Sequence, residues 1–259
     1  MSRWLVTNLP SWVLLIGLIV LISGGGVAIQ RYLRRRYPAL TRDEHNDVTK
    51  FTYGFIGFVY AFFIGFVVSS MWGQINTADG NAHAEGAAAL QLARDSTVFD
   101  APDTDRVRQA LSAYANAAVT EWPRAGATHS AEADTALANL YTALQQVQPK
   151  TDVQKTFLST SFSNLDKTSQ ARSVRLLTAR DDTGPPWPLW AVIFLTSGLV
   201  LGTVIVYGGE KSALHYPMVA IVGVIVATNL FLVLQLSHPY LGEISTPSDS
   251  LQEVAAATR

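Results

Sequence analysis

The chain has 259 residues, of which 49% are hydrophobic and only 15% are charged, and its formal net charge at pH 7 is -1. Soluble domains typically carry about 25% charged residues, so this deficit indicates long apolar segments. The near-neutral charge argues against a basic, nucleic-acid-binding surface. Because the chain contains no cysteine, disulfides, thiol catalysis, iron–sulfur clusters and cysteine-rich zinc sites are excluded.

Four apolar runs are long enough to span a hydrocarbon core, which takes about 20 residues. No ionisable side chain lies well inside any of them, and the tryptophan and tyrosine residues near their ends are typical of interfacial belts. The runs extend from about Leu9 to Ile29, from Phe51 to Trp72, from Trp187 to Tyr207 and from Tyr216 to Ser237. We therefore predict an all-α integral membrane protein, with one transmembrane hairpin in residues 1–74 and another in residues 187–237.

Basic residues between the first two runs predict the orientation. The N-terminal flank carries only Arg3, whereas the loop over residues 30–50 carries Arg31, Arg34, Arg35, Arg36, Arg42 and Lys50. The positive-inside rule places this loop in the cytoplasm, so the N-terminus, the domain after the second run and the C-terminal tail (238–259) are predicted to be extracytoplasmic. The same arginines resemble a stop-transfer flank, so we expect a retained first helix rather than a cleaved signal peptide.

Residues 75–186 are predicted to form a soluble helical domain inserted between the second and third membrane helices. Helix formers dominate residues 81–95, which are either a new helix or an extension of the second membrane helix. Pro102 followed by Asp103 marks the next helix start, and apolar residues then recur at a spacing near 3.6. The last helix of the domain carries Arg172, Arg175 and Arg180. These arginines either attract anions to the vestibule of a pore or belong to an ordinary solvated helix face.

The second membrane helix has the most regular pattern. It carries a small-residue stripe (Gly57, Ala61, Gly65) and beside it an aromatic stripe (Phe58, Phe62, Phe66). Small residues permit close helix packing in lipid. The aromatic stripe could face lipid, a neighbouring helix or a narrow pore, where it would form a hydrophobic constriction.

Weaker signals lie in the third and fourth membrane helices. Gly198 and Gly202 form a GxxxG packing motif in the third helix. Asn229 is the most polar side chain of the fourth helix, and it either makes an interhelical hydrogen bond or lines a pore.

Motifs for catalysis are missing from the sequence. It contains no HExxH, GxSxG, P-loop or dinucleotide-binding glycine pattern. His83 and Glu85 lie close together, but no spacing supplies the third and fourth ligands that zinc requires. We therefore expect no enzymatic activity, no metal site and no cofactor.

Three segments carry a family resemblance: Phe63-Ile64-Gly65-Phe66-Val67-Val68, the alanine-rich stretch around Glu85, and Ser237-His238-Pro239-Tyr240-Leu241-Gly242-Glu243. With the helix order, they resemble the bestrophin-like family of bacterial membrane proteins usually called DUF4239, and more remotely the bestrophins, which are pentameric anion channels. The resemblance implies a homo-oligomer in the lipid bilayer of a bacterial inner membrane, with inorganic anions as the permeant species. It also implies that the second helix lines the pore and that Phe58, Phe62 and Phe66 form its neck.

Two features depart from the bestrophin pattern. The segment that follows the fourth helix has an extra residue and lacks the acidic run of the bestrophin calcium clasp, so calcium regulation is not expected. Bestrophins also place their helical domain in the cytosol, opposite to the side that the charge rule predicts here. Two functional hypotheses follow: a homo-oligomeric channel or pore, and a non-conducting membrane-anchored interaction or sensor protein whose helical domain binds a partner.

Overall fold

The computed structural model describes residues 2–36, 46–122, 130–180, 184–206 and 212–258. Within these ranges the chain is helical and contains no strand, which confirms the predicted all-α class. The elements are α1 (Ser2–Asn8), α2 (Ser11–Ile19), a π-helical turn (Val20–Gly24), α3 (Gly25–Arg36), α4 (Asn46–Asp95), a 3-10 turn (Ser96–Val98), α5 (Ala101–Glu121), α6 (Ala131–Gln145), α7 (Asp152–Arg180), α8 (Trp187–Val206), α9 (Ser212–Leu236) and α10 (Asp249–Ala257). Part of the loop predicted over residues 30–50, namely 37–45, lies outside the described ranges.

Four helical segments in the described ranges are long and apolar enough to cross a membrane. They are Ser11–Arg36, Tyr53–Val98, Trp187–Val206 and His215–Leu236. Each overlaps one of the four apolar runs of the sequence, and the first two extend beyond their runs. The second segment belongs to a single helix of 50 residues, so residues 81–95 extend the second membrane helix instead of starting a new one.

The chain divides into two compact units. The membrane unit comprises Met1–Gly73 and Gly184–Ser237, and the helical unit comprises Gln74–Thr183 and His238–Arg259. The C-terminal residues, which the sequence analysis set apart as a tail, pack within the helical unit, where Leu251 and Val254 of α10 are completely buried.

The membrane unit is held together by close approaches between small side chains. The backbone of Ser23 in the π-helical turn lies so near Gly223 of α9 that a Cβ atom at Gly223 would sit 2.6 Å from the Ser23 Cα. The Ser23 hydroxyl also donates a hydrogen bond of 3.1 Å to the Ala220 carbonyl. Since lipid supplies no hydrophobic drive between helices, such close backbone contacts provide the packing energy.

The helical unit has a conventional apolar core, in which Val107 and Leu111 of α5, Leu140 of α6 and Leu165 of α7 are completely buried. The local signals at the helix starts are also present. A proline occupies the first turn of α5 after the extended residue Asp100, and the Ser130 hydroxyl caps α6 by accepting a hydrogen bond from the amide of Ala133.

Candidate functional site

Helix α4 packs against the rest of its own chain with one face and presents phenylalanines on the other. Phe58, Phe62 and Phe66 are 69%, 72% and 70% exposed. At 3.6 residues per turn their stripe lies on the opposite side of the helix from the packed residues. The packed residues, each no more than 5% exposed, are Tyr60, Ile64, Val67, Met71 and Ile75.

The packed face is tied to α8 by a long hydrogen bond of 3.4 Å, in which the Ser197 hydroxyl donates to the Tyr60 hydroxyl. The phenylalanine stripe therefore points away from the rest of its own chain.

The glycines that the sequence analysis selected for helix packing do not pack within one described chain. A Cβ atom built at Gly57, Gly65, Gly198 or Gly202 would meet no other atom within 4 Å, and Ala61 is exposed. The reason is that a small-residue stripe brings helices together only where another helix faces it. In the membrane unit the close backbone approach occurs instead at Gly223, which sequence spacing did not single out. The run Gly24-Gly25-Gly26 is compatible in sequence with tight packing or an irregular turn, and a Cβ atom at Gly26 would lie 3.4 Å from the side chains of Leu201 and Val219.

Asn229 is half-buried on α9. The polar contact that α9 makes near its C-terminal end comes from Gln235, whose Nε2 donates a 3.0 Å hydrogen bond to the Ser11 hydroxyl of α2. Gln235 is completely buried. The sequence analysis missed it because a glutamine at the end of an apolar run resembles an interfacial residue.

Arg172 and Arg175 are buried in the helical unit, 5% and 0% exposed. The Arg172 guanidinium binds the Glu121 carboxylate through Nη2 at 2.7 Å and Nε at 3.1 Å, and its Nη1 donates to Asp134 at 2.7 Å. Their burial and carboxylate partners give Arg172 and Arg175 a structural role, which corrects the expectation that they attract anions as free cations. Arg180 is exposed, and its role in attracting anions stays a prediction.

Arg175 joins two carboxylates in the interior. Its Nε donates to Glu85 at 2.8 Å, and its Nη2 contacts Glu85 at 3.2 Å and Glu121 at 3.4 Å. The side chains of Arg175, Glu85 and Glu121 are all completely buried. An isolated charge in such surroundings would be costly, so each of these buried charges depends on its partner. We call Glu85, Glu121, Asp134, Arg172 and Arg175 the ion network.

Aromatic side chains complete the ion network. The Tyr114 hydroxyl donates a 2.8 Å hydrogen bond to Glu85. Burial, and then the charge of Glu85, raise the pKa of Tyr114 well above its ordinary value, so this phenol remains a donor. Burial is the largest single influence on the pKa of Arg175 and lowers it. The charge of Glu85, its hydrogen bonds and the nearby Tyr114 and Glu121 together outweigh burial, so the pKa is raised overall. The guanidinium carbon of Arg175 also lies 4.4 Å from the ring centroid of Trp122, a cation–π contact.

Trp122 links the ion network to the C-terminal segment. Its Nε1 donates a 2.9 Å hydrogen bond to the Thr246 carbonyl, and its ring meets Tyr240 edge-on at a centroid distance of 5.9 Å. The Tyr240 hydroxyl in turn donates to the Ala78 carbonyl of α4 at 3.3 Å. The chain after α9 is therefore fastened to α4 and α5.

The described part of the chain contains no group of three or more histidine, aspartate or glutamate side chains arranged to hold a metal ion. The ion network resembles a structural core more than a catalytic centre, because each of its carboxylates is paired with an arginine and Glu85 and Glu121 are shielded from solvent. The exposed face of α4 is thus the strongest candidate for a functional surface.

Comparison with protein families gives a match to the model described as the bestrophin-like domain, over residues 20–251. The chain belongs to the bestrophin-like family. No curated protein matches the chain.

The bestrophin-like fold extends over almost the entire chain. A crystal structure of a bacterial bestrophin homologue from Klebsiella pneumoniae carrying a point mutation matches with a TM-score of 0.71 at 14% identity, covering 94% of this chain and 98% of the other. Two further point variants of a Klebsiella pneumoniae bestrophin homologue each match with a TM-score of 0.67, at 16% and 14% identity, covering 94% of this chain and 97% of the other. Identities this low establish a shared fold.

Proposed function

We propose that this bestrophin-like protein is a homo-oligomeric membrane channel or pore that conducts inorganic anions, with α4 lining the conduit. The observation that carries the proposal is the stripe of Phe58, Phe62 and Phe66, each about 70% exposed in the isolated subunit, on a helix whose opposite face is packed. In a closed ring of subunits, one such stripe from each copy would surround the axis and form an apolar constriction that gates by dewetting.

The resemblance to the bestrophins adds support, since it implies that the same three phenylalanines occupy the place of the bestrophin neck. The location in a bacterial inner membrane and the extracytoplasmic side for the helical unit stay predictions, the latter from the charge rule applied to loop 30–50.

The test is anion flux through full-length protein reconstituted in liposomes, together with the mass of the intact complex in mild detergent. We expect a ring of several subunits and an anion flux that Phe62→Ala increases, because a smaller side chain weakens the hydrophobic barrier. Phe194→Ala is the matched control, since Phe194 is also an exposed phenylalanine (58%) but lies on α8. It should leave the flux unchanged.

Three outcomes would contradict the proposal: a monomer, no flux, or a flux that responds equally to both substitutions. The first two would favour the non-conducting alternative, in which the helical unit binds a partner. In that case we expect the helical unit to bind a partner protein.

A further inference from the structure

The exposed side of α3 carries two arginines at one end. Ala28, Arg31 and Arg35 are exposed, and a spacing of three and then four residues places them on one helix face. We call Arg31 and Arg35 the exposed arginine pair. They are one turn apart, so their Cβ atoms lie about 6 Å from each other. Two guanidinium groups at this separation can bind the oxygens of a single phosphate group, since each presents a planar set of N–H donors.

The position of the exposed arginine pair along the segment corresponds to the headgroup layer of a bilayer. Trp12 of α2 is 64% exposed, and an exposed tryptophan is typical of a membrane interface. Arg31 follows Trp12 by 19 residues, which is about 28 Å at a helical rise of 1.5 Å per residue. A hydrocarbon core is about 30 Å thick, so Arg31 lies at its other boundary and Arg35 lies one turn beyond.

Between these two levels the segment exposes apolar side chains. Val20 and Leu21 of the π-helical turn are 66% and 70% exposed, and Ile29 of α3 is 53% exposed. Beside the arginines, Tyr32 is 65% exposed, as is typical of a tyrosine at the headgroup boundary. Such a surface suits an acyl chain below a charged headgroup, whereas a free anion gains nothing from apolar contacts.

A third arginine holds this end of α3 against the rest of the membrane unit. The Arg34 guanidinium carbon lies 5.9 Å from the centroid of the Tyr216 ring of α9, and Nη2 of Arg34 contacts Nδ1 of His215. Because the Val204 carbonyl can only accept, His215 donates to it from Nε2 at 2.8 Å, which leaves Nδ1 as the acceptor for Arg34. The exposed arginine pair is therefore carried by a fixed helix end.

The helices of the membrane unit around the exposed arginine pair contain no acidic residue. Neither aspartate nor glutamate occurs in the sequences of α1, α2, α3, α8 and α9. These helices therefore supply no carboxylate that could neutralise the pair. Two adjacent positive charges at the headgroup layer attract an anion from the membrane surface.

We propose that the exposed arginine pair binds the phosphate of an anionic phospholipid, with the acyl chains lying along the apolar surface of Val20, Leu21 and Ile29. A zwitterionic lipid carries its own cation beside the phosphate and gains less from the arginines, so the site selects anionic lipids. The site lies within the membrane unit, and lipid binding there does not depend on whether the protein conducts anions.

The test is native mass spectrometry of the full-length protein in mild detergent, with phosphatidylglycerol or phosphatidylcholine of the same acyl chains added in turn. The ratio of the two dissociation constants measures the preference. Each basic residue near an anionic lipid surface contributes about fivefold in affinity, so Arg31→Gln/Arg35→Gln should lower the preference for phosphatidylglycerol by roughly 25-fold. The control Arg94→Gln/Lys155→Gln removes two positive charges from exposed residues of the helical unit and should retain the preference.

Two further measurements separate the site from other effects of the same residues. Because Arg31 and Arg35 also belong to the basic loop that sets the membrane orientation, the single variants Arg31→Gln and Arg35→Gln are measured as well. Each retains five of the six basic residues of loop 30–50 and should lower the preference about fivefold. Inorganic phosphate should leave the bound lipid in place, because it gains nothing from the apolar surface.

Each contrary result would overturn the proposal. A wild-type protein that binds both lipids equally contradicts a site for anionic lipids. The same holds for a preference that survives in Arg31→Gln/Arg35→Gln, or that falls equally in Arg94→Gln/Lys155→Gln. Displacement of the lipid by inorganic phosphate would show that the pair binds a free anion and would overturn the assignment to a lipid.

Discussion

Replacing Arg175 by methionine tests whether the ion network holds the helical unit together. Methionine fills a similar volume, but it removes the cation that contacts Glu85 and Glu121. Glu121 would keep its two hydrogen bonds from Arg172, at 2.7 and 3.1 Å. Glu85 would keep only the Tyr114 hydroxyl at 2.8 Å and would remain as a buried charge without a counterion.

The expected loss follows from that arrangement. Removing one partner of a buried ion pair typically costs about 3–5 kcal/mol, because the other charge stays desolvated. At about 1.4 kcal/mol per factor of ten, the equilibrium for local opening should shift by roughly two to four orders of magnitude. The lost cation–π contact with Trp122, at 4.4 Å, adds to the effect.

Amide hydrogen exchange of the full-length protein in detergent measures this opening in peptides from α7. The matched control is Lys155→Ala on the same helix, since Lys155 and its partner Asp152 have side-chain exposures of 64% and 96%. That exposed pair should contribute less than a factor of ten. Adding Glu85→Gln to Arg175→Met should recover much of the protection, because it removes the unpaired charge. The reasoning fails if Arg175→Met leaves α7 protection within a factor of ten of wild type, or if Glu85→Gln deepens the loss.

Two further predictions concern the attachment of the C-terminal segment. Gly86→Ala should accelerate amide exchange in α10, because the new Cβ would lie 2.5 Å from the Ser250 Cβ. Gly80→Ala is the control, because a Cβ atom there would have no atom within 4 Å. It should be neutral or stabilise the helix by up to about 1 kcal/mol. If both substitutions change the exchange of α10 equally, the close contact between Gly86 and Ser250 is contradicted. Burial raises the pKa of Tyr240 to about 12. The unfolded phenol titrates near pH 10, so its contribution to stability is complete below pH 10 and is lost as pH rises toward 12. The temperature at the midpoint of unfolding, Tm, should therefore decrease as the pH is raised from 10 to 12. Tyr240→Phe should make that decrease smaller. If the variant shows the same pH dependence of Tm as the wild type, the role of burial is refuted.

The membrane helices could be predicted from the sequence because the signal is local. An apolar run of about 20 residues without charge has no comparable alternative to a spanning helix. The phenylalanine stripe could be found in the same way, because a repeat of four residues places Phe58, Phe62 and Phe66 on one helix face. Even the continuation of α4 to Asp95 was among the expected alternatives, since alanine and glutamine favour helix without a break.

The environment of each charge could not be predicted, because it depends on residues far apart in the chain. Arg175 is 90 positions from Glu85, and Arg172 is 51 positions from Glu121. On a helix face an arginine that will be buried with a carboxylate has the same local pattern as one that faces water. Only the packing of α4, α5 and α7 together determined which arginines were paired.

The glycines also show the difference between what local sequence determines and what tertiary packing determines. The sequence by itself determined the helical class, the four membrane-spanning segments and the faces of α4, because these depend on composition and on the helical repeat. Only the tertiary structure decided that Gly86 and Gly223 are the sites of close approach, while Gly57 and Gly65 meet nothing in their own chain. The physical reason is that a close contact requires two surfaces, and a sequence pattern describes only one of them.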